Sequence, residues 1–261
     1  MSQRSWKTDA LLMIAHRGAS AYAPENTMAA FRLAEAMGAD GIEFDVKLTA
    51  DGVPIVMHDA TLDRTTDGSG EVARRTLNEI RKLDAGSFFE DSFAGEKVPT
   101  LAEVLETLGP DMLLNIELTN YASPRDILPE RSLRIVEEAG AMGRVLFSSF
   151  NPIALWRLRG RVPNHQLGLL VGRATPGMAR WLMRCLVPHG ALHPQVELVM
   201  PATVSASHRR GKRVHVWTVN ASEVMEQLLL WNVDGLITDR PDVAREVIER
   251  GKYQDGRVDA G

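Results

Sequence analysis

Two short segments place acids where a strand would bury them. In Gly41-Ile42-Glu43-Phe44-Asp45-Val46, alternate residues face opposite sides of a strand, so Ile42, Phe44 and Val46 share one face and Glu43 and Asp45 the other. Leu114-Asn115-Ile116-Glu117-Leu118 repeats the pattern, with Asn115 and Glu117 opposite the aliphatics. If the aliphatic faces meet helices, three carboxylates converge at neighbouring strand ends. Buried like charges cost several kcal/mol or more apiece unless something neutralises them. One remedy is a divalent cation, and an all-oxygen donor set suits Mg²⁺ or Ca²⁺ better than zinc. The competing assignment pairs the acids with a basic side chain such as Lys47, in phase with Asp45.

Two histidines also close candidate strands, His16 in Ile-Ala-His-Arg-Gly and His58 in Val-Met-His-Asp. Imidazole titrates near neutrality, so such a pair can supply a general base and a general acid together. Arg17, beside His16, has the planar fork that grips phosphate, or else forms a surface ion pair. Trp217, inward by parity near the end of its strand, offers an apolar wall to a small substrate or packs in the core. His215, two residues deeper, reads as a satisfied core histidine. His189 and His208 end no strand and read as structural.

Parity has meaning only if these segments are strands of one sheet. Eight β-rich runs recur, at 11–16, 41–46, 113–118, 144–149, 166–171, 191–193, 213–219 and 235–238, separated by stretches of helical periodicity. That alternation requires a parallel sheet with covering helices, and eight strands close a barrel. Helix starts are marked by Pro24-Glu25-Asn26 before 27–37, Asn151-Pro152 before 153–159, Asn220 before 221–231 and Asp239-Arg240-Pro241 before 242–250. A hairpin, 46–48 and 53–58 about Asp51-Gly52, opens the long stretch between the second and third strands. Residues 62–99 read as a lid-like excursion from one domain spanning 1–261, with Phe88, Phe89 and Phe93 either as its small core or as a lipid-facing surface. The tail after Gly251 is polar and reads as frayed.

Composition narrows the function. The 261 residues carry 30 Lys and Arg against 34 Asp and Glu, with net charge −4 and no basic block, which argues against a nucleic-acid surface. The single cysteine, Cys185, excludes an internal disulfide and reads as a buried, inert thiol. The apolar stretch 10–15 is too short for a membrane span and has no cleavage site behind it, so it reads as a strand and the protein as cytoplasmic. A Schiff-base aldolase is disfavoured, because Lys47, the one lysine near an inner strand position, is crowded by acids.

The ordered block His16-Arg17-Gly18, Pro24-Glu25-Asn26-Thr27, Gly41 to Val46, Thr49-Ala50-Asp51-Gly52, His58-Asp59 and Leu62-Asp63-Arg64-Thr65-Thr66 resembles the glycerophosphodiester phosphodiesterase family. The likeness continues through Asn115 to Leu118, Ser148-Ser149-Phe150, Val216 to Asn220 and Asp234 to Pro241, nearly the whole chain. It implies a TIM (β/α)8 barrel with a small inserted subdomain after the second strand. It also implies one divalent metal ion, Mg²⁺ or Ca²⁺, on Glu43, Asp45 and Glu117, and an acid/base pair of His16 and His58. Arg17 takes the phosphate, Trp217 lies beside the glycerol, and Glu25 and Asn26 belong to the substrate-binding segment that supports the site. The implied reaction hydrolyses small glycerophosphodiesters, such as glycerophosphocholine or glycerophosphoethanolamine, to sn-glycerol 3-phosphate and an alcohol. The alternatives are the same chemistry on lysophospholipids, or a non-catalytic phosphodiester- or metal-binding barrel. Many members carry a lysine two residues after the third acid, on the substrate phosphate; this chain has Thr119. The charge would then come from Arg17 and the metal, or from Arg125 or Arg173, or the head-group preference differs.

Overall fold

The computed structural model describes residues 4–254. The chain runs β1 (Leu12–His16), α1 (Met28–Ala36), β2 (Gly41–Leu48), β3 (Pro54–Val56), α2 (Leu77–Ile80), α3 (Leu101–Thr107), β4 (Leu113–Leu118), α4 (Leu128–Glu138) and β5 (Val145–Ser149). It continues through α5 (Pro152–Leu158), β6 (Leu167–Val171), α6 (Gly177–Leu186), β7 (Ala191–Pro194), α7 (Pro201–His208), β8 (Arg213–Val216), α8 (Ser222–Leu230), β9 (Gly235–Thr238) and α9 (Pro241–Gln254). All strands but β3 pair in parallel, and β1 bonds to both β2 and β9, so eight strands close a (β/α)8 barrel as the alternation requires. β3 lies antiparallel on β2, at Val46 opposite Val56.

The aliphatic faces of the strands meet the helices in one large cluster that includes Ile42, Phe44, Val46, Ile116, Phe147 and Leu169. Inside the barrel, at the strand starts, Trp6, Leu12, Ile14, Leu113, Leu146, Ala191 and Ile237 fill the bore. The opposite end of the bore is left to polar side chains. The stretch after β3 has its own aliphatic cluster of Ile55, Met57, Leu62, Val72, Ile80, Ala85 and Val98. Its loop turns on the Asp84 carboxylate, which accepts backbone N–H bonds from Gly86, Ser87 and Gly95. Phe88 and Phe89 are exposed beside that core, edge to face with each other, with Phe89 also edge to face with Phe93, and they form no part of the core.

Local chemistry sets most boundaries. Thr27 caps α1 through Ala30 N, and Asn151 caps α5 through Ile153 N ahead of Pro152. Four expectations need correction. β8 stops at Val216 rather than 219, because beyond it the backbone leaves the ladder and Trp217 bridges only Gln195. Asn220 does not cap α8, since Asp239 and Thr238 engage its amide instead. Cys185 is exposed on α6, a helix with no buried residue. The final helix runs on past Gly251 to Gln254; the rest of the tail expected to fray lies outside the described residues.

Candidate active site

Register assembles the site. Across β1 and β2, His16 pairs with Glu43, and across β2 and β4, Glu43 pairs with Asn115 and Asp45 with Glu117. Paired residues point to the same side of a sheet, so these polar side chains stack in two layers at the strand ends inside the barrel. Glu43, Asp45 and Glu117 each present an oxygen within 4.8 Å of the others.

The protein does not itself balance these acids. Lys47, the partner in the competing assignment, bonds Thr119 instead, with Nζ 2.7 Å from Oγ1 and 3.3 Å from the carbonyl oxygen. Among the described residues Arg17 is the one guanidinium or ammonium in an ion pair with them, its Nε 3.3 Å from Asp45 Oδ2, and its Nη1 is shared with Glu25 at 2.8 Å. Burial, with Asp45 and Glu117 adding repulsion, holds the Glu43 carboxyl well above the usual carboxylate range. Burial and the Asp45 charge push Glu117 up to about 8. Glu43 Oε1 is buried without a protein partner, as are both amide atoms of Asn115 beside it in register. Carboxylates this close, with Glu43 and Glu117 raised in pKa and an oxygen orphaned, fit a hard divalent cation, which would restore the ionisation of those two.

Both histidines are oriented by carboxylates. His16 Nδ1 lies 2.6 Å from Asp239 Oδ1, and His58 Nδ1 lies 2.6 Å from Asp59 Oδ1. A carboxylate only accepts, so each Nδ1 carries a proton and each Nε2 is left for proton transfer. His16 Nε2 stands 3.9 Å from Glu43 Oε2. Asp239 is held in turn by Asn220 Nδ2 at 2.6 Å and Ser20 Oγ at 3.0 Å. Arg64 clamps Asp59 at 2.7 Å while gripping both oxygens of Glu25.

Glu25 thus sits between Arg17 and Arg64, and it lines both the cleft that holds His58 and the one that holds His16. Asn26 donates from Nδ2 to Asp45 Oδ2 at 3.0 Å and accepts from Asp45 N, so it orients an acid. Arg17 and Asn26 adopt left-handed backbone angles, φ 57° and 60°, which point both side chains at the acids. Gly18 next to them has φ 85°, and a Cβ there would lie 2.7 Å from the Ala30 backbone, so the turn into α1 excludes any other residue. Trp217 packs edge to face on Phe150, and Phe150 on Tyr121, in an aromatic row whose Tyr121 hydroxyl bonds Glu117.

The structure therefore gathers Glu43, Asp45, Glu117, His16, Arg17, Glu25 and Asn26 by direct bonds and register, with His58 joined through Asp59, Arg64 and Glu25. Sequence reasoning missed the residues behind them. Asp239 reads as a helix start and Asn220 as a cap, and Arg64 and Tyr121 carry no local signal. The available hints are that Asp59 and Asp239 follow strand ends and that Asp59, Arg64, Asn220 and Asp239 lie in the segments that carry the family resemblance, where none carries an assigned role. Arg125 and Arg173 are exposed, whereas Lys47 places an ammonium at Thr119. His215 is buried with Nδ1 3.1 Å from His193 Nε2, but its own Nε2 has no partner, so it is a core histidine only half satisfied. His208 pairs with Asp234, and His189 accompanies Lys212.

An acid cluster at the C-terminal mouth of a parallel barrel, with two carboxylate-held imidazoles, is an arrangement suited to hydrolysis by a TIM-barrel enzyme. Residues 16–243 match the model of the glycerophosphoryl diester phosphodiesterase family. The chain is 42% identical over 243 residues to a glycerophosphodiester phosphodiesterase of Caldanaerobacter subterraneus, covering 92% of this chain and 98% of the relative. It is 34% identical over 254 residues to one of Bacillus subtilis, covering 92% and 87%. Among solved structures, a phosphodiesterase of Oleispira antarctica in complex with the product sn-glycerol-3-phosphate superposes with a TM-score of 0.85 at 31% identity, over 94% of this chain and 100% of that one. The chain belongs to the glycerophosphoryl diester phosphodiesterase family, and it is a phosphoric diester hydrolase.

Proposed function

We propose that the chain hydrolyses small glycerophosphodiesters, glycerophosphocholine or glycerophosphoethanolamine, to sn-glycerol 3-phosphate and an alcohol, with His16 and His58 as its acid/base pair. The observation that carries this reading is the pair of carboxylate-held histidines, His16 facing Glu43 of one cluster of three under-neutralised acids and His58 linked to that cluster through Asp59, Arg64, Glu25 and Arg17. Glu43, Asp45 and Glu117 would hold one Mg²⁺ or Ca²⁺, which when bound supplies positive charge to phosphoryl oxygens. One imidazole accepts the proton of the attacking hydroxyl as its oxygen bonds phosphorus; the other, protonated, gives a proton to the departing alkoxide oxygen as the P–O bond breaks. Arg17 offers its remaining guanidinium N–H groups to the phosphate, and Lys47 at Thr119 supplies the charge that many relatives place two residues after the third acid. Trp217 closes the glycerol side with an apolar wall. The solved relative that holds sn-glycerol-3-phosphate supports a small-molecule substrate.

The test is sn-glycerol 3-phosphate release from both diesters by metal-stripped protein, with Mg²⁺, Ca²⁺ or chelator added, beside Glu43→Ala. Activity restored by metal and absent in the variant is expected; metal-independent turnover overturns the assignment of the acids. A second reading takes lysophospholipids, and the exposure of Phe88 and Phe89 outside the aliphatic core favours it. Faster turnover of acylated than of deacylated substrate, lost in Phe88→Ser/Phe89→Ser, would establish it.

A further inference from the structure

α6 differs from every other α-helix of the barrel. Each of the others buries residues against the strands, whereas α6 buries none and is held to the core by the half-buried Met183. Met178, Trp181, Leu182 and Leu186 stand 71%, 60%, 42% and 65% exposed. At positions i, i+3, i+4 and i+8 they make one stripe along the helix. No helix among the described residues is long and apolar enough to cross a membrane, so this stripe is a surface feature.

Charge provides the second, independent observation. Trp181, Arg184 and Cys185 form one wall of a cleft of about 220 Å³, faced by His189, Arg210 and Lys212. Arg213 close by is paired with Asp9 and Asp234, but among the described residues Arg184, Arg210 and Lys212 have no carboxylate partner. Arg210 bonds only a carbonyl, and Lys212 bonds the Arg184 carbonyl and His189. Burial and mutual repulsion lower Arg184 and Lys212 from their ordinary values, a penalty that a bound anion would remove. From Glu138 to Glu197 the chain has no other acidic residue and seven arginines, although the whole protein is net negative.

A tryptophan-bearing apolar stripe beside unpaired cations matches an anionic bilayer, where indole and aliphatic side chains enter the headgroup boundary and arginines meet lipid phosphates. A second copy of the chain fits poorly, because a two-fold contact would set this basic cleft against itself. We propose that α6 and the cleft formed by Arg184, Arg210 and Lys212 dock the protein on anionic phospholipid, with a lipid phosphate in the cleft and Met178, Trp181, Leu182 and Leu186 at the headgroup–acyl boundary. None of these residues belongs to the hydrolytic site, so the inference stands apart from the proposed reaction.

The experiment is co-sedimentation with phosphatidylcholine vesicles, with and without phosphatidylglycerol, together with tryptophan emission. Binding at least about tenfold stronger to the anionic vesicles, weakened by salt, is expected from three unpaired cations. Arg184→Gln/Arg210→Gln loses that preference, Leu186→Ser weakens binding to both vesicles, and Trp181→Phe abolishes the blue shift. Thermal melting at the wild-type temperature confirms that each variant folds. Any of three results overturns the proposal: no vesicle binding at low salt, equal binding to neutral and anionic vesicles, or variants that bind as the wild type does. Sedimentation equilibrium showing a dimer dispersed by Leu186→Ser would overturn it in favour of self-association.

Discussion

His16 and Asp239 are 223 residues apart in the chain, and their Nδ1 and Oδ1 atoms are 2.6 Å apart across the seam where β1 meets β9. Burial would raise the Asp239 carboxyl, but hydrogen bonds from His16, Asn220 and Ser20 outweigh it and hold the group down at about 2. Asp239 is therefore ionised throughout the working range, and it fixes one tautomer and one ring orientation of His16. Asp239→Asn presents an amide N–H to Nδ1 and favours the wrong tautomer. We expect turnover to fall about 100-fold or more with KM little changed. Steady-state kinetics check this, and a variant within twofold of wild type would show that Asp239 has no part in proton transfer.

The acid cluster makes divalent cations stabilising ligands. A cation that binds the folded chain alone raises unfolding free energy by about 2.7 kcal/mol at 100 times its dissociation constant. Adding Mg²⁺ or Ca²⁺ to chelator-treated protein should raise the melting temperature. In Glu43→Gln or Asp45→Asn the rise should vanish, because a neutral amide is a weaker ligand. Equal rises in wild type and variants would place the cation elsewhere.

Three histidines in and near the barrel bore set an acid limit. Burial brings His189 and His215 down to about 4, and His193 well below its ordinary value. Between about 6.5 and 4 the unfolded chain binds more protons at these sites than the folded one, so stability is full above pH 6.5 and lost as pH falls towards 4. For His215 alone the loss approaches about 3 kcal/mol. Glu117, raised to about 8, acts with the opposite sign while it is free to protonate. Urea unfolding at pH 7 and pH 4.5 with saturating divalent cation, which keeps the acids ionised, should therefore show a drop in midpoint. His215→Gln should reduce that drop, and an unchanged pH slope would count against the buried neutral imidazole.

Lys47 and Thr119 form the most specific departure in the site. The Lys47 ammonium lies 2.7 Å from Thr119 Oγ1, and burial lowers its pKa against the pull of Asp45 and Glu117. If it carries phosphate charge, Lys47→Gln should raise KM for diester about tenfold, on the scale of one charge-assisted hydrogen bond. Thr119→Lys added to Lys47→Gln should recover most of the loss. A KM unmoved by Lys47→Gln would leave the phosphate to Arg17.

The strands and the acids were legible because their signals are local. Alternation within six residues puts Glu43 and Asp45 opposite Ile42 and Phe44, and all eight barrel strands follow from such runs, with β8 alone ending three residues early. His16, Arg17, Glu25 and Asn26 were legible through an ordered motif. The supports were not. Asp239, Asn220 and Arg64 act on residues 223, 19 and 39 positions away, and no periodicity encodes a partner at those distances.

From residue order alone, the side of the strand each acid occupies and the (β/α)8 alternation were already determined, because backbone geometry imposes a period of two in a strand and 3.6 in a helix. Barrel closure decided the rest. Only when β1 bonds β9 does Asp239 reach His16, and only the β2–β4 register brings Glu117 level with Asp45. Packing likewise decided that Cys185 is exposed, since its helix has the amphipathic pattern of a core helix but buries no residue against the strands. Periodicity shows that a helix has an apolar face; which surface covers that face depends on all the other elements around it.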